Sequence, residues 1–263
     1  MASCAKQERH DAIVRRAARN GRVSVEMLAS AFGVSLMTVR RDLAELARQG
    51  KVNRVYGGAI PSRAGVAEFS FREKENEMAA EKRGIARVVA AMIESGTSLS
   101  LDTGTTTLEV ARALVARTGL QVLTTSLAIA SVLHAEPGID LVLLGGTVRK
   151  NTPDLWGGIT EDNIRRFRVD LAVLGTDAIS PSGAFTTDVS TSRVSRALIE
   201  NASCRILVAD SSKFRKTAFV KHADLSEMEV VVTDERCPAD VRKWLKKTAA
   251  RVVYAPAAEG RDG

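Results

Sequence analysis

Nowhere in these 263 residues does an uninterrupted apolar run approach the roughly 18 residues that a membrane-spanning helix needs. The opening residues, Met1 to Glu8, run directly into charge and lack the apolar core of a secretory signal, which implies a cytoplasmic protein with no membrane partner. Cysteine is scarce. Cys4, Cys204 and Cys237 lie far apart and show no paired metal-ligand spacing, so they read as isolated reduced thiols. The three histidines, His10, His134 and His222, form no local cluster. Neither a metal nor a cofactor is expected. Low-complexity stretches are also missing, and an apolar content of 45% supports ordinary globular cores over a length suited to two domains.

Charge is present, and it is unevenly spread. The net charge of the chain is +7. Residues 1–60 hold eleven Lys and Arg against five Asp and Glu, leaving 27 against 26 for the other 203 residues. Nearly the whole imbalance therefore sits in the first quarter, the footprint of a polyanion-binding module joined to a neutral body.

Within that quarter the pattern predicts three helices. The first runs over about 6–19, with Ile13 and Val14 opening its apolar stripe, and Asn20-Gly21 ends it. Ser24 reads as the N-cap of a short second helix whose Leu28, Ala29 and Phe32 share a face. Gly33 breaks that helix, Val34 plugs the turn, and Ser35 caps a third helix that stops at Gly50. Two helices joined by a tight glycine-containing turn make a helix-turn-helix. In the third helix Val39, Leu43 and Leu46 cluster within about 60°, leaving Met37, Arg41, Ala44 and Arg48 opposite and Thr38 and Arg40 on the flanks. Hydroxyl and guanidinium groups thus project near the start of a recognition helix, where base edges and phosphates of double-stranded DNA are met. Residues 51–60 alternate apolar and polar up to Gly57-Gly58, which suggests a hairpin wing with Lys51, Arg54 and Tyr56 along phosphates. The candidate DNA-binding set is Ser35, Met37, Thr38, Arg40, Arg41, Arg48, Lys51, Arg54 and Tyr56.

The run from Val23 to Val52, with Thr38-Val39-Arg40-Arg41-Asp42-Leu43 at its heart, followed by Arg54-Val55-Tyr56-Gly57-Gly58-Ala59, resembles the amino-terminal domain of DeoR-family bacterial repressors.

Residues 61–80 carry Pro61, Gly65 and dense mixed charge, and read as an exposed tether leading into a helix from about Glu77. Ile85, Val88, Val89, Met92 and Ile93 give that helix an apolar face. The placing of Arg72-Glu73, Asn76, Lys82 and Ile85-Ala86 again resembles the DeoR family.

Beyond residue 97 the chain alternates short apolar runs, at 97–101, 120–124, 139–144, 169–174, 204–209, 229–233 and 251–254, with helical patterns near 105–117, 126–134, 160–167, 190–201 and 238–247. The fold class is therefore α/β: a winged helix-turn-helix over 1–60, a linker over 61–80, and a mainly parallel sheet domain over 81–255. The tail 256–263 is small and polar and reads as disordered. Ligands of such sheets bind beyond the carboxyl ends of strands. Those positions hold Asp102, Gly104, Thr105, Thr106 and Thr107; Thr125 and Ser126; Gly146; Asp177; and Lys213. The first group offers hydroxyls and N–H groups at a helix start, a ready anion site, with Asp102 suited to sugar hydroxyls. Lys213 is the candidate to neutralise a phosphate.

The DeoR resemblance extends across about 6–254, through Leu101-Asp102, Gly104-Thr105-Thr106, Leu144-Gly145-Gly146, Asp210-Ser211-Ser212-Lys213-Phe214 and Thr233-Asp234. It implies a body similar in fold to ribose-5-phosphate isomerase, and a homo-oligomeric repressor, dimer or tetramer, of sugar or polyol catabolism relieved by a phosphorylated effector. Thr125 stands where the family usually has Asn. Two rivals remain. One is a repressor whose sensor has lost its ligand. The other is a sugar-phosphate isomerase, for which Asp102, Asp177 and Asp188 are the carboxylates able to act as base, but which has no use for a basic helix-turn-helix. The expectation is that the chain is not an enzyme.

Overall fold

Two serines set the frame of the amino-terminal helices. In the computed structural model, which describes residues 2–62, 71, 73–150 and 152–258 (backbone alone at 2–5, 18 and 19), helix α1 spans Ala2–Asn20, and strand β1 (Val23–Ser24) leads into α2 (Val25–Phe32). Ser24 Oγ accepts from Met27 N at 3.1 Å, and Gly33 ends α2 in the left-handed region at φ 61°. Helix α3 (Leu36–Arg48) then starts with Ser35 Oγ accepting from Thr38 N at 3.1 Å. Strands β2 (Val52–Val55) and β3 (Gly58–Pro61) form the expected hairpin, and β1 extends it to a three-stranded sheet ordered β1-β3-β2. The glycine pair at its turn has two separate causes. Gly57 sits at φ +73°, and a Cβ on Gly58 would lie 1.9 Å from the Val23 carbonyl oxygen. Ile13, Val23, Leu28, Val39, Leu43, Leu46 and Val52 fill the core of this unit.

Burial on the inner face of α3 includes one residue that is not apolar. Asp42 is 3% exposed and accepts from Arg9 Nε at 2.7 Å, while its other oxygen lies 2.9 Å from His10 Nε2. Burial alone raises this carboxyl, and the bonds from Arg9 and His10 override that and hold it below its ordinary value. The ion pair ties α1 to α3.

The chain divides into two compact units, residues 1–74 with 150–152, and residues 75–149 with 153–263. The second opens with α4 (Ala79–Met92), followed by β4 (Ser98–Leu101), α5 (Thr105–Leu114), β5 (Leu120–Thr124), α6 (Leu127–Leu133) and β6 (Ile139–Leu143). Next come β7 (Thr147–Val148), β8 (Leu155–Trp156), α7 (Gly158–Arg165), β9 (Val169–Leu174), β10 (Ala178–Ser180), β11 (Gly183–Thr186) and α8 (Val189–Glu200). The unit closes with β12 (Ala202–Val208), β13 (Val220–Ala223), β14 (Val230–Asp234), α9 (Ala239–Leu245) and β15 (Arg251–Ala255).

Seven strands form one sheet ordered β15-β14-β12-β9-β4-β5-β6, and every pairing in it is parallel. All seven fall on the apolar runs expected from the sequence. The chain winds outward from β4 through β5 and β6, then returns to lay β9 and the later strands on the other side. The switch point therefore lies between β4 and β9, where a crevice opens at the carboxyl ends. Two small antiparallel sheets, β10-β11-β13 and β7-β8, were not expected, because their strands are too short to show a period.

Helix α4 buries Glu81 and Lys82 at 3% and 2% exposure, and Ile85, Val89 and Ile93 sit inside as expected. One expectation needs correction: the tail is partly ordered. Ala258 N donates to Ala80 O at 3.0 Å, and Pro256 packs so closely on α4 that a Cβ on Gly84 would meet its carbonyl oxygen at 1.9 Å. A glycine on the helix lets the chain end lie against it. Residues 259–263, and 63–70 and 72 of the linker, lie outside the described residues.

Candidate DNA interface and effector site

In the first unit the cap geometry aims the start of α3. Ser35 and Thr38 are bound to each other, with Oγ and Oγ1 2.9 Å apart, and the next residues outward are Leu36 and Met37, 44% and 54% exposed. Arg40 and Arg41 are both exposed while Val39 between Thr38 and them is fully buried. The wing contributes Arg54, exposed on β2, and Tyr56, 99% exposed at the turn. A cleft of about 230 Å³ brings Arg40 together with Arg54 and Tyr56, over Glu26 and Leu43. Two other candidates stand apart from this group. Arg48 at the far end of α3 is held by Glu45, with Nη2 2.6 Å from Oε1, and Lys51 is half-buried.

In the second unit the two hydroxyl-rich helix starts differ. Helix α6 caps itself: Ser126 Oγ accepts from Ile129 N at 3.2 Å, and Thr124 Oγ1 accepts from Ser126 N. Helix α5 begins at Gly104, φ +138°, with no side-chain cap. Its first turn lies at the positive end of the helix dipole. This uncapped start stands at the switch point.

Several predicted residues serve the turn rather than the space beyond it. Asp102 is 2% exposed, its Oδ1 accepting from Thr103 N at 2.8 Å and its Oδ2 from Ser195 Oγ at 2.9 Å. Burial pushes this carboxyl up to about 7 against those bonds. It ties the turn to α8. Thr107 is fully buried and donates to Gly104 O at 3.0 Å. Gly146 has a packing reason, since a Cβ there would fall 1.8 Å from Thr160 Oγ1. Thr125 is fully buried with its hydroxyl unpartnered, and Thr106 is 7% exposed. Thr105 remains half-exposed in the first turn of α5. Asp177, just past β9, accepts from Thr186 Oγ1 and Thr187 N at 3.0 and 3.1 Å.

Lys213 lies in a short 3-10 turn (Ser211–Arg215) after β12 and is 9% exposed. It has a neighbour that sequence reasoning passed over. Lys82 of α4 is buried, and its ammonium falls to about 8, chiefly through burial, with Asp210 pulling it up and Lys213 pushing it down. Two lysines and the Asp210 carboxylate therefore share one electrostatic locus at the carboxyl edge of the sheet. Arg149 was also missed. Its Nη2 donates to Thr191 Oγ1 at 2.6 Å and its Nε lies 3.3 Å from Asp154 Oδ2, beside Ser126, whose backbone bridges to Asp154. Lys82 lies away from the strand-end motifs in sequence, whereas Arg149 follows Gly146 by three residues.

Comparison with known proteins matches the two units separately. Residues 9–62 match the DeoR-like helix-turn-helix domain, and residues 77–235 match the DeoR C terminal sensor domain. The glycerol-3-phosphate regulon repressor of Escherichia coli K12 is 36% identical, covering 90% of this chain and 94% of its own. The HTH-type transcriptional regulator GlpR of Haloferax volcanii is 35% identical, over 88% of this chain and 90% of its own. The HTH-type transcriptional repressor GlcR of Bacillus subtilis is 30% identical, over 98% and 99%. A ribose 5-phosphate isomerase A from Methanocaldococcus jannaschii aligns at TM-score 0.38 and 19% identity, over 51% of this chain and 53% of its own, too distant to bear on chemistry. With both domain models matched in order and full-length relatives above 30% identity, the chain belongs to the DeoR family, a helix-turn-helix unit followed by a sensor unit.

Proposed function

We propose that this protein represses a sugar or polyol catabolic operon by binding double-stranded operator DNA, and that a phosphorylated sugar-type effector in the sensor unit releases it. The observation that carries the reading is the face at the start of α3: two exposed guanidiniums beside a capped helix end, sharing a cleft with the wing's Arg54 and Tyr56. Arg donates bidentately to guanine or phosphate, and such a face fits a major groove. Relatives named as a glycerol-3-phosphate regulon repressor and as GlcR support the kind of operon. For the effector, the uncapped start of α5 suits a phosphate, with Thr105 beside it. Lys213 and Lys82 supply positive charge, and Asp177 offers a carboxylate for hydroxyls. Asp102, Thr107 and Ser126 shape the crevice from behind.

The effector must bind the DNA-incompetent state more tightly, or it shifts nothing. In a homo-oligomer two recognition helices enter successive major grooves, and the 61–80 segment relays the change. An isomerase reading is weaker, because the carboxylate at the switch point is buried against Ser195.

The test is a gel shift on the DNA upstream of the chain's own gene, with and without a panel of phosphorylated sugars at fixed salt. Arg41→Ala is expected to weaken binding by about 1–3 kcal/mol, about fivefold to 150-fold. Lys213→Ala is expected to bind DNA normally and resist release. Loss of operator binding in Lys213→Ala with the effector response retained would reverse the assignment.

A further inference from the structure

Helix α4 starts from a residue in a backbone conformation that side chains disfavour. Its N-cap, Met78, stands at φ 56° in the left-handed region, and no side chain caps the helix. Glu77-Met78 is a turn set between helical residues 73–76 and α4 itself. A residue with a Cβ holds positive φ only where its surroundings impose it, and such joints recur in switch regions. Ion pairs pin the segment just before this one. Glu75 pairs with Arg112 of α5, and Glu77 accepts from Lys216 Nζ at 3.1 Å. On the other side of the joint, Lys82 N donates to Met78 O at 2.9 Å.

Lys216 follows the 3-10 turn that carries Lys213. Glu77 lies below the ordinary carboxylate range, first through Lys216 and then, against partial burial, through the charges of Lys213 and Lys82. The cations that act on Glu77 thus include both lysines assigned above to a phosphate. A phosphate monoester carries close to two negative charges near pH 7. Placed at Lys213, it attracts these ammonium groups more strongly than one carboxylate does, and it repels that carboxylate. The Glu77–Lys216 pair is exposed, at 48% and 42%, and exposed pairs are weakly held. Arrival of a phosphate and closure of this pair therefore oppose each other.

We propose that Glu77, Lys216 and Met78 form the latch through which the sensor unit reports its ligand: phosphate at Lys213 opens the Glu77–Lys216 pair, and Met78 then leaves the left-handed region, turning the start of α4. The proposal rests on the effector reading above and supplies its relay. The effector binds the unlatched form more tightly, so whatever favours the latched form weakens the response.

Two uncharged substitutions of opposite sense at residue 78 of the full chain test the joint. Glycine adopts positive φ freely, and valine, branched at Cβ, resists it more than methionine does. The readout is the concentration of glycerol 3-phosphate, glucose 6-phosphate or ribose 5-phosphate that releases half of the chain from the DNA upstream of its own gene. Met78→Gly is expected to raise that concentration about fivefold and Met78→Val to lower it about threefold. Glu77→Gln tests the pair. Hydrogen exchange at the Lys82 amide, whose bond to Met78 O reports the joint, is expected to run about threefold faster in this variant with no ligand present. In the parent it is expected to quicken when the releasing phosphate is added. Thermal melts verify that each variant folds. Shifts of one sign at residue 78, or no shifts with a responsive parent, overturn the latch and leave the regulatory reading standing. So does equal exchange at Lys82 in Glu77→Gln and the parent. A parent that none of the three phosphates releases overturns the regulatory reading and the latch together.

Discussion

A carboxylate taken out of water is tolerated when every bond it loses is replaced, and Asp42 meets that condition with Arg9 and His10 on a different helix. Removing the charge while keeping the shape isolates its contribution. Asp42→Asn is expected to destabilise the amino-terminal unit by about 3 kcal/mol, read from its urea midpoint, because Arg9 then loses its counterion beside a buried site. His222 is the opposite case. It is 2% exposed, neither ring nitrogen has a hydrogen-bond partner among the described residues, and burial lowers its pKa to about 4, with Asp177 and Glu227 opposing and Arg196 adding to the shift. The unfolded chain takes up a proton near pH 6.5 that the folded chain refuses until about 4. Stability is therefore flat above 6.5 and falls as pH drops through that window, by about 3 kcal/mol in full. His222→Leu keeps the volume and removes the proton site. Its stability relative to the parent should rise as pH goes from 7 to 4; a constant difference across that range would show that His222 carries no such linkage.

Among the elements, the wing depends most on a single atom's absence. Gly58→Ala forces a Cβ against the Val23 carbonyl, which is backbone and cannot rotate away. Strand β1 must separate from β3, and operator affinity is expected to fall with the wing's placement, while Gly57→Asn, which tolerates positive φ, costs far less. Ser35→Ala removes the cap of α3 and should destabilise the unit by about 1 kcal/mol. At this scale much was legible from sequence. Caps at Ser24 and Ser35, the break at Gly33 and all seven strands of the large sheet followed from period and local chemistry. Asp42 was within reach too, since its position on the wheel borders the Val39, Leu43 and Leu46 stripe, about 40° beyond Leu46. The surroundings of Lys82 and Arg149 were not, because they arise from where α4 and the segment before β8 come to rest. Nor were the hydrogen bonds of Asp102 and Thr107, whose side chains turn back into the fold. A strand-end position predicts proximity to a crevice, and hydrogen-bond direction decides who faces it.

For the molecule as a whole, charge placement and topology divide the work. The excess positive charge lies in residues 1–60, and the sensor residues are nearly neutral. Affinity for operator should therefore fall steeply with salt, each phosphate contact adding about 0.9 to the slope of log K against log salt. Arg54→Ala, on the wing, is expected to lower that slope by about 1 per recognition head and to weaken all DNA sequences alike. Arg41→Ala should also change the preference among sequences if it reads a base. A salt titration of both variants on operator and on unrelated DNA separates the two roles, and equal loss on both DNAs would assign Arg41 to the backbone.

The clasp between Ala258 and Ala80 has a practical outcome. Entry to and exit from the sensor unit are neighbours, 3.0 Å apart at that bond. A segment whose two ends meet can be lifted out as a cassette, spliced into a surface turn of a fluorescent host, or rejoined end to end and reopened elsewhere. Residues 79–258 are thus laid out as a transplantable unit, and a tag fused immediately after Ala255 would pry at the very helix on which that unit begins.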